Sequence, residues 1–274
     1  MPKLIEDARH RASAPSHDGE GASPRPTGPS RARCRVRAKT LLTILAALVL
    51  APLTVVVGMG IPGNGYYLSG TLIVLYAIVP FFVAFEGRRP TAREIAVVAV
   101  LTALAVAARA AFVWVPHFKP MAAIIMIAGI AAGPQTGFLV GSVAALASNF
   151  IFGQGPWTPW QMLAFGVAGL VAGLLADARV FPRANLSWPR RIALAVTGFV
   201  LIVGLAGPIL DTSTFFYLST APTPELAATV YLAGLPVNAI HGVATALTLL
   251  VVANPLLDQL ARVRVKYGLL NQLR

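Results

Sequence analysis

Apolar residues in this chain do not alternate with polar ones; they come in long runs. Eight runs stand out, at residues 41–57, 67–85, 95–115, 121–132, 136–152, 160–176, 192–210 and 227–252. Where no water reaches the backbone, every N–H and C=O must be satisfied within its own segment, so each run is read as a helix. The pattern predicts an all-α fold: a polytopic integral membrane helix bundle of about eight transmembrane helices. One run is short. Residues 121–132 fall below the roughly 20 residues that a hydrocarbon core requires. They form either a tilted helix extended to Lys119 or half of a re-entrant pair with 136–152.

Polar punctuation adds the next layer. Nothing from residue 121 to 176 is charged, yet the stretch is broken by FGQGPWTPWQM at 152–162. Gly, Pro and Trp at mid-length mark an ordered loop between two membrane helices. Amphipathic rings such as Trp157 and Trp160 suit the headgroup level. Across the chain, 57% of residues are hydrophobic, 12% are charged, and mean hydropathy is +0.73. A soluble domain carries about 25% charged residues.

Charge then sets the orientation. Of the 22 Lys and Arg, 20 fall on one side of the bundle: in the tail before residue 40, the 87–93 turn, the 177–191 loop and the tail after 258. The positive-inside rule makes that side, and both termini, cytosolic. The net charge of +12 therefore belongs to membrane topology and not to nucleic acid. The chain divides into a disordered basic cytosolic tail (1–39), two additional transmembrane helices (40–93), a six-helix core (94–260) and a basic cytosolic C-terminal tail (261–274).

Several chemistries are excluded. No GxxxxGK[ST] is present, so no nucleotide phosphate is cradled by that route. A single cysteine, Cys34, rules out an internal disulfide and a cysteine-rich metal site. Glu86, Glu94, Asp177, Asp211, Glu225 and Asp258 lie at helix ends or in loops, and none is placed at mid-membrane for ion coupling.

The remaining polar residues gather near one face. Arg109, near the outer end of its helix, either snorkels outward or meets a partner inside the bundle. His117 and Lys119 lie in a short loop stiffened by Pro116 and Pro120. Asn149, Gln154 and Gln161 flank the Trp loop. Asn238 and His241 are expected to hydrogen-bond across helices. Asp211 and a loop running to Glu225, with Phe215, Phe216 and Tyr217, are read as a cover from outside. Ala99, Ala103, Ala107 and Ala111 recur every fourth residue, a smooth ridge that lets another helix approach. Shorter ridges of Gly137, Gly141 and Ala145, and of Gly169 and Gly173, are read as internal packing.

Residues 113–175, VWVPHFKPMAAIIMIAGIAAGPQTGFLVGSVAALASNFIFGQGPWTPWQMLAFGVAGLVAGLL, resemble substrate-binding S-components of energy-coupling factor (ECF) vitamin transporters. The alanine ridge, the FEGRRP turn and the closing RVRVKYGLL are similar to the same group, most of all to cobalamin-type S-components. The resemblance implies capture of a vitamin or cofactor precursor at the outer face, with cobalamin ahead of riboflavin, thiamine and queuosine precursors. It also implies docking on a transmembrane coupling subunit with two ABC ATPases, and no intrinsic cofactor. The expected binding residues are Arg109, His117, Lys119, Asn149, Gln154, Trp157, Trp160 and Gln161; the expected docking face is the ridge of Ala99, Ala103, Ala107 and Ala111. Two rivals stand beside it: a stand-alone secondary carrier, and a membrane enzyme acting on a lipid-linked intermediate through His117, His241 and Asp211.

Overall fold

The structure, a computed structural model, describes residues 91–218 and 223–267 together with single positions between 49 and 76. The expected tail at 1–39, most of the two additional helices and residues 268–274 lie outside the described residues. The elements are α1 (Ala92–Ala111), α2 (Met121–Ala132), α3 (Pro134–Phe152), α4 (Thr158–Asp177), α5 (Trp188–Leu201), a π-helical turn (Ile202–Ala206), α6 (Gly207–Leu218) and α7 (Pro224–Tyr267). Among the described residues there is no strand. The fold is an all-α membrane bundle. Among the described residues, five stretches are long and apolar enough to cross a bilayer: α1, α3, α4, the continuous Trp188–Phe216 segment, and α7.

Local chemistry sets the helix ends. Thr91 and Glu94 cap α1 reciprocally: Glu94 N–H donates to Thr91 Oγ1 at 3.3 Å, and Thr91 N–H to Glu94 Oε2 at 3.0 Å. Gly133 at φ 98° and Gly153 at φ 102° turn the chain out of α2 and α3, in a region that disfavours side chains. Prolines start α3, α4 and α5 at their first or second position, where a missing N–H is harmless.

Packing is organised around α2. All 12 of its residues are buried, with α1, α3, α4 and α7 around it. At a rise of about 1.5 Å per residue it spans only about 18 Å. It does not extend to Lys119, because Pro120 occupies its N-cap. The glycine ridges face inward as expected. A Cβ on Gly137 would strike the backbone of Gly169, and one on Gly169 would strike that of Gly137, so α3 and α4 meet backbone to backbone. Ser142 Oγ joins the same pair by donating to the Met162 carbonyl at 3.0 Å. Away from these contacts the surface is oily. Val100, Phe150, Ile151, Leu232 and Val251 are all more than 60% exposed, as lipid-facing side chains are.

Two expectations change. The span expected to end at 210 continues as helix to Leu218, so Asp211, Phe215 and Phe216 do not lie in a covering loop. Phe215 and Phe216 are buried in the core instead. The last helix runs past residue 260 to Tyr267, giving 44 residues in one element.

Opposite the Trp loop, the segment between α4 and α5 is pinned to α7. Asn185 N–H donates to Asp258 Oδ1 and Leu186 N–H to Asn254 Oδ1, both at 2.8 Å. An ion pair joins Arg183 to Asp177. A cavity of about 450 Å³ lies there, bordered by Asn185, Asp258, Arg262 and Lys266.

Candidate functional site

Helix α1 has two unlike faces. Leu101, Ala105 and Arg109 are buried, whereas Ala99, Ala103, Ala107 and Ala111 are exposed. The two rows are offset by two residues, which at about 100° per residue sets them on opposite sides of the helix. Arg109 thus points into the bundle. It does not snorkel.

Inside, Arg109 heads a run of polar side chains. Its Nη1 donates to Ser148 Oγ and, at 2.9 Å, to Asn149 Oδ1. Asn149 Nδ2 then donates to Thr158 Oγ1 at 2.9 Å and to Gln161 Oε1 at 2.8 Å. The Thr158 hydroxyl donates to Gln154 Oε1 at 2.9 Å and accepts from Gly155 N–H at 3.3 Å. A hydroxyl offers one donor and two acceptor positions, so Thr158 is fully used. Asn149 uses both amide hydrogens and one of the two acceptor positions of its oxygen. The guanidinium also lies 4.6 Å from the centroid of the Phe152 ring, a cation–π contact. Helices α1, α3 and α4 and the Trp loop are tied together through one arginine and one asparagine.

The other candidates distribute around this network. Gln154, though exposed, belongs to it, and its Nε2 reaches the Leu146 carbonyl at 3.3 Å. Gln161 is half-buried within it. Trp157 is at the surface, 40% exposed, with its indole lying where a Cβ on Gly155 would sit. Trp160 turns inward, is 3% exposed, and stacks on Phe216 at 6.0 Å. The two indoles are therefore not a pair. His117 is exposed and holds φ 59°, a left-handed conformation that fixes the loop between Pro116 and Pro120.

Lys119 is half-buried beside this cluster. Burial holds its pKa below the usual lysine value, and the charge of Arg109 lowers it further. His241 of α7 lies against the backbone of Lys119, within electrostatic range of Lys119, Arg109 and His117, and 5.7 Å from the Phe165 ring. The nearby Asp211 is held by Asn238, whose Nδ2 donates to Oδ2 at 2.7 Å, the cross-helix bond expected of that asparagine. Thr212 and Tyr231 share a second α6–α7 contact at 2.7 Å. Ser148, Phe152 and Thr158 escaped the sequence reading. A hydroxyl one residue before Asn149 and another opening a helix after a tryptophan were their only signals.

The arrangement holds hydrogen-bond donors and acceptors in fixed directions. Among the described residues, no group of three or more His, Cys, Asp or Glu side chains is placed to hold a metal ion. The sequence profile of a family described as "ECF-type riboflavin transporter, S component" matches residues 90–262. The chain belongs to that family. The matched region of this S component takes in α1 through most of α7, including every candidate binding residue and the four ridge alanines. A UPF0397 protein of Vibrio atlanticus (strain LGP32) is 30% identical over 104 residues, 37% of this chain and 53% of that protein. The chain thus spans about half the length of that curated relative. No solved structure matches it.

Proposed function

We propose that this S component is the substrate-binding membrane subunit of an ECF-type importer. It captures a vitamin or cofactor precursor at the outer face and delivers it through a transmembrane coupling subunit driven by two ABC ATPases. The observation that carries this reading is the buried run from Arg109 through Asn149 to Thr158 and Gln161, adjoining the Trp loop. A buried polar network of this kind in an oily bundle holds Arg109, Gln154 and Gln161 in fixed positions beside the Trp loop, a preorganised set for a polar ligand. The exposed alanine row on the opposite face of α1 supports docking, since small residues let a partner helix approach closely.

Two ligands come forward: cobalamin, from the sequence resemblance, and riboflavin, from the family's description. Exposed Trp157 and Gln154 at the mouth suit either, with stacking area beside amide donors and acceptors.

The test is a thermal-shift screen of the purified chain without partners, against cobalamin and its precursors, riboflavin, thiamine, biotin and queuosine precursors. A ligand at a thousand times its dissociation constant adds about 4 kcal/mol of stability, a clear rise in melting temperature. One strong hit names the substrate and supports a self-sufficient binding subunit. A folded sample that responds to none of them, and that fails to co-purify with a coupling subunit and ATPases, overturns the proposal.

A further inference from the structure

Arg109 is 7% exposed, and the two hydrogen bonds it makes both use Nη1. Its Nε is buried without a hydrogen-bond partner, and neither Nε nor Nη2 has one among the described residues. That leaves unpaired the side-on edge of the guanidinium, the fork that takes both oxygens of a carboxylate or phosphate. No described carboxylate pairs with it.

Two titratable side chains lie within its reach. The charge of Arg109 acts on both Lys119 and His241. His241 is 8% exposed and its Nε2 is a second buried, unpartnered polar atom. The N-terminus of α2 begins two residues after Lys119, with no side chain capping it. A helix start carries partial positive charge and free N–H groups.

Depth gives these groups a place. His241 is 17 residues into α7 and yet lies against Lys119. The first part of α7, about 25 Å of helix at 1.5 Å per residue, therefore rises past the start of the short helix α2. Arg109, Lys119, His241 and the α2 N-terminus therefore lie together beside α7.

We propose that the molecule bound here carries a negatively charged group, a carboxylate or phosphate, held on the free edge of Arg109 with Lys119 and His241. This rests on the reading of the chain as a substrate-binding subunit. An anionic lipid headgroup offers the same chemistry, and the experiment separates the two sources.

The experiment compares melting temperatures of the wild type, Arg109→Gln and Arg109→Lys in phosphatidylcholine nanodiscs. Chloride is replaced by inorganic phosphate or acetate at constant ionic strength. Matched pairs follow: nicotinate with nicotinamide, and flavin mononucleotide with riboflavin. The expected result is a rise of several degrees with phosphate in the wild type, a smaller rise in Arg109→Lys and none in Arg109→Gln. In at least one pair the charged member stabilises the wild type more than the neutral one. Phosphate responses that are equal in wild type and Arg109→Gln, or missing from both, overturn the proposal. Should Arg109→Gln fail to fold, Lys119→Gln carries the same comparison.

Repeating the series in phosphatidylglycerol discs settles the source. A phosphate response that persists there supports a soluble ligand; one that vanishes gives the site to lipid and overturns the substrate assignment. A neutral vitamin that stabilises wild type and Arg109→Gln alike keeps the binding-subunit reading and removes the anion. An Arg109-dependent phosphate response in a chain that binds no vitamin and no ATPase partners does the reverse.

Discussion

Asn149 is 1% exposed and joins Arg109 to Thr158 and Gln161. Asn149→Ala strands a charged donor and two acceptors at once. The expected loss is about 2 kcal/mol, since a buried polar group left without its partner costs about 1–3 kcal/mol; denaturant unfolding in micelles measures it. Lys119 behaves in the opposite sense. Its folded pKa lies below the unfolded value of about 10.4, so its buried charge weakens the fold at neutral pH. That deficit is fully present below the folded pKa and fades as pH rises from there towards the unfolded value. Lys119→Met is therefore expected to melt higher than wild type at pH 7, with the difference shrinking towards pH 10. Much of this site was legible in advance, because a lone Arg or amide in an oily run needs a partner wherever it sits. The hydroxyls were not legible: Ser148 Oγ also bonds the Ala145 carbonyl of its own helix, as many membrane serines do. The burial of Trp160 was not legible either, because its core partner, Phe216, lay beyond the predicted end of a helix.

That predicted end shows how element boundaries were lost. Asp211 to Thr214 is a polar run and reads as a loop, yet α6 absorbs all of it. Thr212 Oγ1 donates back to the Pro208 carbonyl at 2.7 Å, Thr214 Oγ1 to that of Leu210 at 3.4 Å, and Asp211 takes Asn238. Polarity satisfied within the helix leaves hydropathy without its meaning. The glycine ridges were easier to read, since small residues every fourth position have a direct packing use. A Cβ on Gly169 sits 2.6 Å from the Gly137 carbonyl carbon, and backbone cannot yield as a side chain does. Gly169→Val is expected to cost about 3 kcal/mol or more and to shift the protein into aggregates on size-exclusion chromatography. The alanine row makes the contrasting prediction. Ala103→Leu with Ala107→Leu adds bulk to an exposed face, so melting temperature and ligand binding should hold while uptake with the coupling module fails.

For the whole molecule, an all-α membrane bundle was predictable from the apolar runs alone, and family membership agrees with the resemblance seen in residues 113–175. Orientation has its own test. Cys34, the single cysteine, should be shielded from a membrane-impermeant maleimide in intact cells and react after lysis. His117→Cys in a Cys34→Ser background should react in intact cells; the reverse labelling pattern would invert the topology. The size of α7 has a mechanical meaning. Its 44 residues make about 66 Å of helix contour, interrupted by the interior prolines Pro236 and Pro255, in a membrane whose oily layer is about 30 Å thick. His241 sits beside Lys119 and Arg109, and Lys266 lies on the same helix 25 residues further on, at the cavity bordered by Asn185 and Asp258. That distance is about 38 Å of helix contour, with Pro255 between the two ends. A change of about 10° in the bend at Pro255 would move Lys266, about 16 Å further along the helix, sideways by roughly 3 Å.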